Sequence, residues 1–244
     1  MKNYYFLSGL PRAGNTLFGY LLNKNKDITL TSNSILPDVL LSLFKIKHED
    51  VYINFPDEKS FNDIYNNVFN HYFKNWKANT IICRGPWGTK GNLILLKPII
   101  EKPKFIVLYR PVEECLNSFI DLYKVKNIKS YAKKMLSLDG ILGRALMSTE
   151  NIMKTKQDHI VIYYKDLIKN PEREIKKVYK YLNIKYTKIS FNVDEQFQSN
   201  GIEYDDKIFK QPLHKLTLGK IRKLKSPNRL SKELIKKCRS LDLF

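Results

Sequence analysis

An α/β fold, with a central, mostly parallel sheet between two layers of helices, is what the sequence predicts. Three observations carry the prediction. Short apolar runs at Tyr4 to Leu7, Thr80 to Cys83, Phe105 to Tyr109 and His159 to Tyr164 alternate with segments of helical spacing. The run Phe105 to Tyr109 is apolar throughout, as a strand covered on both faces requires. The length of 244 residues suits one such domain, spanning 1–244, with a core large enough to support it.

The elements follow in order. Tyr4 to Leu7 has the aromatic and aliphatic composition of a buried strand. Ser8 to Gly14 is a turn, with Gly9, Pro11 and Gly14 as breakers. Asn15 to Leu22 is helical, with Leu17, Leu21 and Leu22 on one face. A strand, a glycine-bearing loop and a helix aim backbone N–H groups at an anion, and the helix N-terminus adds a partial positive charge. Gly9 and Gly14 have the spacing of a nucleotide P-loop, GxxxxGK[ST], and Thr16 stands at its hydroxyl position. The fold is therefore expected to be P-loop NTPase-like, of three layers, α/β/α. Asn15 occupies the lysine position, and the nearby cation is Arg12. A P-loop kinase needs that lysine on its phosphates, so the loop keeps the anion cradle without the kinase's cation.

Ser32 to Phe44 reads as a short helix capped by Asn33 or Ser34, burying Leu40, Leu41 and Leu43. Lys45 to Pro56 reads as a loop containing His48, Glu49 and Asp50. From Ser60 a strong amphipathic helix carries Phe61, Ile64, Tyr65, Val68, Phe69, Tyr72, Phe73 and Trp76 at helical spacing, a stripe that reads as core. The second strand leads into Arg84-Gly85-Pro86-Trp87. Ligands of parallel sheets bind beyond the carboxyl ends of the strands. Arg84 and Trp87 are thus candidates for contact with a substrate, a surface turn with Trp87 packed inward being the alternative. Asn92 to Ile100 is a short apolar helix.

The third strand runs into Arg110-Pro111, and the next helix buries Cys115, Leu116, Phe119 and Ile120, with Ser118 two turns along. Arg110 and Ser118 are candidates for a second phosphate. Ile128 to Lys156 reads as a long helix with a possible break at Gly140 or Gly143. After the fourth strand, Pro171 opens a helix with Glu172 and Glu174 in its first turn, which favours a helix start. Lys185 to Lys225 has no period and reads as a long ordered loop. Ser231 to Leu241 is a last helix.

Composition bounds the partners. The net charge is +19, yet the basic residues are mostly lysines spread along the whole chain. That spread argues against a nucleic-acid reading surface, and a polyanionic small ligand accounts for part of the charge. No apolar run is long enough to span a bilayer. The first strand begins too early to leave room for a signal peptide. Three cysteines, widely spaced, are expected to be reduced thiols in a cytoplasmic protein. Four histidines without paired spacing make a metal site unexpected.

Taken together, these segments resemble a known family. GLPRAGNTL is similar to the 5′-phosphosulfate loop of sulfotransferases that use 3′-phosphoadenosine-5′-phosphosulfate (PAPS) and release 3′,5′-diphosphoadenosine (PAP). LYRPVEECLNSF is similar to their 3′-phosphate motif. YYKDLIKNPEREIKKVYKYLNI resembles the segment after the adenine-contacting strand, and LHKLTLGKIRK the closing segment of bacterial-type members. The four matches come in family order. The resemblance implies transfer of a sulfuryl group from PAPS to a hydroxyl or amine of a small-molecule, saccharide or peptide acceptor, without metal. It assigns Arg12, Ala13, Gly14, Asn15, Thr16 and Leu17 to the 5′ end of the donor and Arg110 and Ser118 to the 3′-phosphate. It assigns Tyr164 to adenine, and Lys215 and Arg222 to the closing segment as donors. His214 is assigned a structural part.

The sequence also departs from the family. Pro111 follows Arg110 directly, where an aspartate is usual. Cytosolic members carry a catalytic histidine after the second strand, where this chain reads Cys83-Arg84-Gly85-Pro86. Other branches use a glutamate after the first helix, where it reads Thr29-Leu30-Thr31-Ser32. The general base is left to Asp38, His48 and Glu49 as candidates. Of these, His48 is taken as catalytic beside Arg12, and Asp38 joins Arg84 and Trp87 at the acceptor. A P-loop-type kinase of a small molecule and a non-catalytic basic nucleic-acid-binding module are the alternatives.

Overall fold

The computed structural model describes residues 2–222 and 227–244. Five strands form one sheet: β1 (Asn3–Leu7), β2 (Ile28–Asn33), β3 (Thr80–Arg84), β4 (Lys104–Tyr109) and β5 (Asp158–Tyr163). Their order is β2-β3-β1-β4-β5, and every pairing is parallel. The helices between them cover both faces, giving the three-layer α/β/α, P-loop-like fold.

Strand alternation divides the core in two. Leu7, Ile82, Ile106 and Leu108 face one layer, which holds α1 (Asn15–Asn23), α6 (Val112–Leu122) and α10 (Pro171–Tyr181). Phe6, Ile81, Cys83, Phe105 and Val107 face the other, which holds α2 (Leu36–Ile46), α4 (Glu58–Tyr72) and α5 (Lys90–Leu96). Most of the aromatic stripe packs there, but Ile64 and Tyr72, expected as core, are 57% and 46% exposed. Phe69 lies 6.0 Å from Phe6 and 5.8 Å from Trp87, ring centre to ring centre.

Four of the differences from the sequence reading change an element. Ile28–Asn33 is a strand that the pattern did not reveal; it lies at the sheet edge, and its outer half is Thr, Ser and Asn. The helix expected from Ser32 begins only at Leu36, with Pro37 in its first turn and Ser34 Oγ accepting the N–H of Leu36 at 3.2 Å. Within Lys45 to Pro56, α2 runs on to Ile46, and α3 (Asp50–Asn54) adds a further turn. The long helix from Ile128 is two, α7 (Ile128–Leu136) and α8 (Ile141–Lys154). A side chain at Gly140 would meet the carbonyl of Lys134, and one at Gly143 the carbonyl of Ser137, so the break needs both glycines.

After β5 the chain forms α9 (Tyr164–Lys169) and then α10, whose cap is Asn170, its side chain accepting the N–H of Arg173. The aperiodic region carries short antiparallel pairs. β6 (Asn192–Val193) pairs with β9 (Gly219–Lys220), and β7 (Gln198–Ser199) with β8 (Ile202–Glu203). A 3-10 turn lies at Asp206–Phe209. The end of that loop at Lys225, and Lys223 of the closing segment, lie outside the described residues. The last helix is α11 (Lys232–Arg239).

Candidate functional site

The sheet order creates the site. From β1 the chain moves to β2 on one side, whereas after β3 it crosses β1 to reach β4 on the other. The loops leaving β1 and β4 therefore part at the strands' carboxyl ends, where parallel sheets place their ligands. Leu7 pairs with Ile106 across this boundary, which sets the loop bearing Arg12 beside the one bearing Arg110.

The first loop is tightly drawn. Gly9 sits against the backbone of Leu108, with no room for a Cβ. Asn15 is buried, and its amide donates to the carbonyl of Leu10 at 2.8 Å. The residue at the lysine position thus ties the loop to itself. Arg12 and Gly14 have φ of 66° and 88°. Glycine adopts that backbone freely, and a Cβ at Gly14 would also lie 2.7 Å from Tyr164 Cδ2. Ala13 is buried; Thr16 and Leu17 are half-buried at the start of α1, whose first turn holds no acidic residue.

The two arginines meet. Arg110 Nη1 donates to the carbonyl of Arg12 at 2.9 Å, and its Nε to Glu114 Oε2 at 3.0 Å. The Arg110 guanidinium lies 4.5 Å over the ring of Tyr164. Arg12 donates from Nε to Ser118 Oγ at 3.1 Å and from Nη1 to the carbonyl of Leu213 at 2.6 Å. Ser118, expected beside Arg110, is thus held by Arg12. Burial, then the positive charge of Arg110, lowers the pKa of the Arg12 guanidinium. Burial raises that of the Tyr164 phenol, with Arg110 opposing. Two guanidiniums on adjacent loops favour an anion, and their planar forks suit phosphate or sulfonate oxygens.

A third cation ends the strand beside β1. Arg84, at the end of β3, donates its backbone N–H to the Thr31 hydroxyl at 3.0 Å and its Nη1 to the Tyr204 hydroxyl at 2.8 Å. Tyr204 stacks on His214, and Asp206 lies against His214. Tyr204 and Asp206 gave no signal in the sequence, because their segment has no period and the contact spans 120 residues. Glu114 was likewise missed, although its i+4 spacing from Arg110 on a helix was available.

The sulfotransferase family profile matches residues 5–188. The chain belongs to the sulfotransferase family. Among curated proteins none matches the sequence. Solved sulfotransferases share the fold at low identity. The sulfotransferase domain of the Synechococcus PCC 7002 olefin synthase is 15% identical with a TM-score of 0.55, over 100% of this chain and 97% of that one. A sulfotransferase from Alicyclobacillus acidocaldarius is 11% identical with a TM-score of 0.52, over 86% and 89%. Mouse SULT7A1, complexed with PAP, is 16% identical with a TM-score of 0.50, over 77% and 61%.

The remaining candidates lie elsewhere in this sulfotransferase fold. Trp87 is fully buried, 5.1 Å from Phe6 ring to ring, so it packs as core and is closed to a substrate. His48 is exposed between α2 and α3, its ring against Phe44 at 5.4 Å. Asp38 and Glu49 are also exposed. Neither these two nor His48 makes a hydrogen bond to the arginine cluster among the described residues. Lys215 and Arg222 are exposed on the closing segment. No group of three His, Cys, Asp or Glu is placed to hold a metal ion among the described residues, and no helix there is long and apolar enough to cross a membrane.

Proposed function

We propose that the chain transfers a sulfuryl group from PAPS to a hydroxyl or amine of a small-molecule, saccharide or peptide acceptor. The observation that carries this reading is the bond from Arg110 to the Arg12 carbonyl, made between two loops that part at the switch point. The donor set suits PAPS: two guanidiniums, a left-handed glycine loop at a helix N-terminus, and no lysine for an ATP γ-phosphate. Arg12, the N–H groups from Ala13 to Leu17 and the Thr16 hydroxyl would hold the 5′ end. Arg110, oriented by Glu114, would hold the 3′-phosphate, and Tyr164 would border the adenine.

When bound, PAPS supplies an activated sulfonate on a phosphate leaving group. The protein's part is positioning and charge stabilisation. Arg12 meets the charge that gathers at the 5′-phosphate during transfer. The loop amides, fixed by the Asn15 and Gly9 contacts, need no rearrangement to do the same. Removing one such donor from a preorganised site costs about 10²–10³ in rate.

Calorimetry with PAP tests the reading. Wild-type protein is expected to bind PAP without Mg²⁺, and Arg12→Ala and Arg110→Ala to bind it more weakly. Equal affinity in all three proteins, or binding only of ATP with Mg²⁺, would overturn it.

A further inference from the structure

The segment between β8 and β9 carries a group that the donor site does not use. The rings of Tyr204 and His214 are parallel, with centres 3.6 Å apart. Asp206 grips His214 twice: Oδ1 lies 2.6 Å from Nδ1, and Oδ2 accepts the backbone N–H at 2.8 Å. A carboxylate on Nδ1 fixes the proton there and leaves the lone pair on Nε2. Nε2 has no hydrogen-bond partner among the described residues. Only 12% of the side chain is exposed.

Two cations tie this pair to the carboxyl ends of β1 and β3. Arg12 donates to the carbonyl of Leu213, the residue before His214. Arg84 donates to the Tyr204 hydroxyl, on the ring that backs the imidazole. Phe209 closes a further side at 6.3 Å. The charged and titratable groups around the ring are therefore Asp206, Tyr204, Arg84 and Arg12. Burial and the two arginines hold the imidazole below its ordinary pKa against the pull of Asp206. The ring is neutral at pH 7, as a proton acceptor must be.

We propose that His214, oriented by Asp206, is the general base that takes the acceptor's proton. The assignment rests on the PAPS reading. In the step, the acceptor's hydroxyl or amine gives its proton to Nε2 while its lone pair forms the new bond to sulfur. The bond from sulfur to the 5′-phosphate oxygen breaks, and its electron pair leaves with PAP. The products are the sulfated acceptor, PAP and an imidazolium balanced by Asp206.

The test needs no knowledge of the acceptor. Protein carrying ¹³C-histidine gives four imidazole signals, and His214→Gln identifies one of them. Each signal is titrated with pH, without and with saturating PAP. The phosphates of PAP are expected to raise the His214 midpoint by about half a unit or more. Asp206→Asn is expected to lower the midpoint without loss of PAP affinity by calorimetry. A His214 signal that stays still while PAP binds would overturn the assignment and leave the donor reading intact. An unchanged midpoint in Asp206→Asn would also overturn it. An absence of PAP binding to the wild type would remove the donor reading, and the base with it.

Discussion

Arg110 donates from Nη1 to the carbonyl of Arg12 at 2.9 Å, joining two loops 98 residues apart in sequence. The contact depends on β1 and β4 being neighbours in the sheet, and it fixes one guanidinium by the backbone of the other. Its Nε bond to Glu114 and its place over Tyr164 hold the fork in one orientation.

Replacing Arg110 therefore does more than remove a charge. Hydrogen bonds to charged groups are worth about 1.5–3 kcal/mol. Arg110→Ala is expected to weaken PAP binding by about 10- to 100-fold. Arg110→Lys should recover only part of this, because an ammonium is a point charge rather than a fork. Calorimetry with PAP on the three proteins checks both statements.

Gly14→Ala should damage the loop by two routes. The methyl group would strain a backbone at φ 88° and would press on the Tyr164 ring. The expected loss is about 1–3 kcal/mol of stability, read from urea denaturation. Gly91, with open space around it and an ordinary backbone, is the control, and Gly91→Ala should not destabilise the protein.

Asp242 anchors the chain's end to the site. Its Oδ1 accepts the N–H of Val112 at 2.9 Å, in the first turn of α6, and the Tyr109 hydroxyl at 2.7 Å. These are the residues on either side of Arg110-Pro111. Asp242→Ala is expected to cost about 1–2 kcal/mol, seen as a lower denaturation midpoint. It should also loosen Arg110, so that PAP affinity falls although residue 242 is not among the donor-site residues.

The lowered pKa of His214 sets the sign of a pH effect. The folded chain holds its proton less tightly than the unfolded chain, whose histidine has a pKa of about 6.5. Stability is then full above that value and falls as pH drops toward the folded pKa, levelling off below it. Urea denaturation from pH 8 to pH 5 should show a shallower decline in His214→Gln than in the wild type.

The thiols should be silent in the native protein. Cys83, Cys115 and Cys238 are all buried, and desolvation pushes the Cys115 thiol up to about 12. A thiol reagent such as dithionitrobenzoate is expected to react with none of them until the chain is unfolded, and then with all three.

Much of the framework was legible because its signals are local. Four strands are apolar runs bounded by breakers, and α4 repeats its aromatic residues on one face. β2 was missed because an edge strand reading ITLTSN offers little apolar signal and needs its partner β3 to exist at all. At the site, the spacing of Gly9 and Gly14 and the strand-end position of Arg110 could be read directly. The grip of Arg12 on Ser118 and the stack of Tyr204 on His214 could not, and the inward packing of Trp87 was one of two readings the sequence left open. The grip and the packing join segments far apart in the chain and the stack lies in a stretch without a period, so no periodicity encodes any of them.

The bond from Arg12 to Leu213 has a consequence for how this site can vary. Its acceptor is a main-chain oxygen, which all twenty amino acids carry. Recoding codon 213 therefore leaves the latch chemically whole, and drift there is tolerated as long as the strap keeps its path. An insertion or deletion between Asp206 and Leu216 would instead slide a different carbonyl into place and carry the imidazole away with it. Variation in length, rather than in lettering, is what this stretch has least freedom to accept.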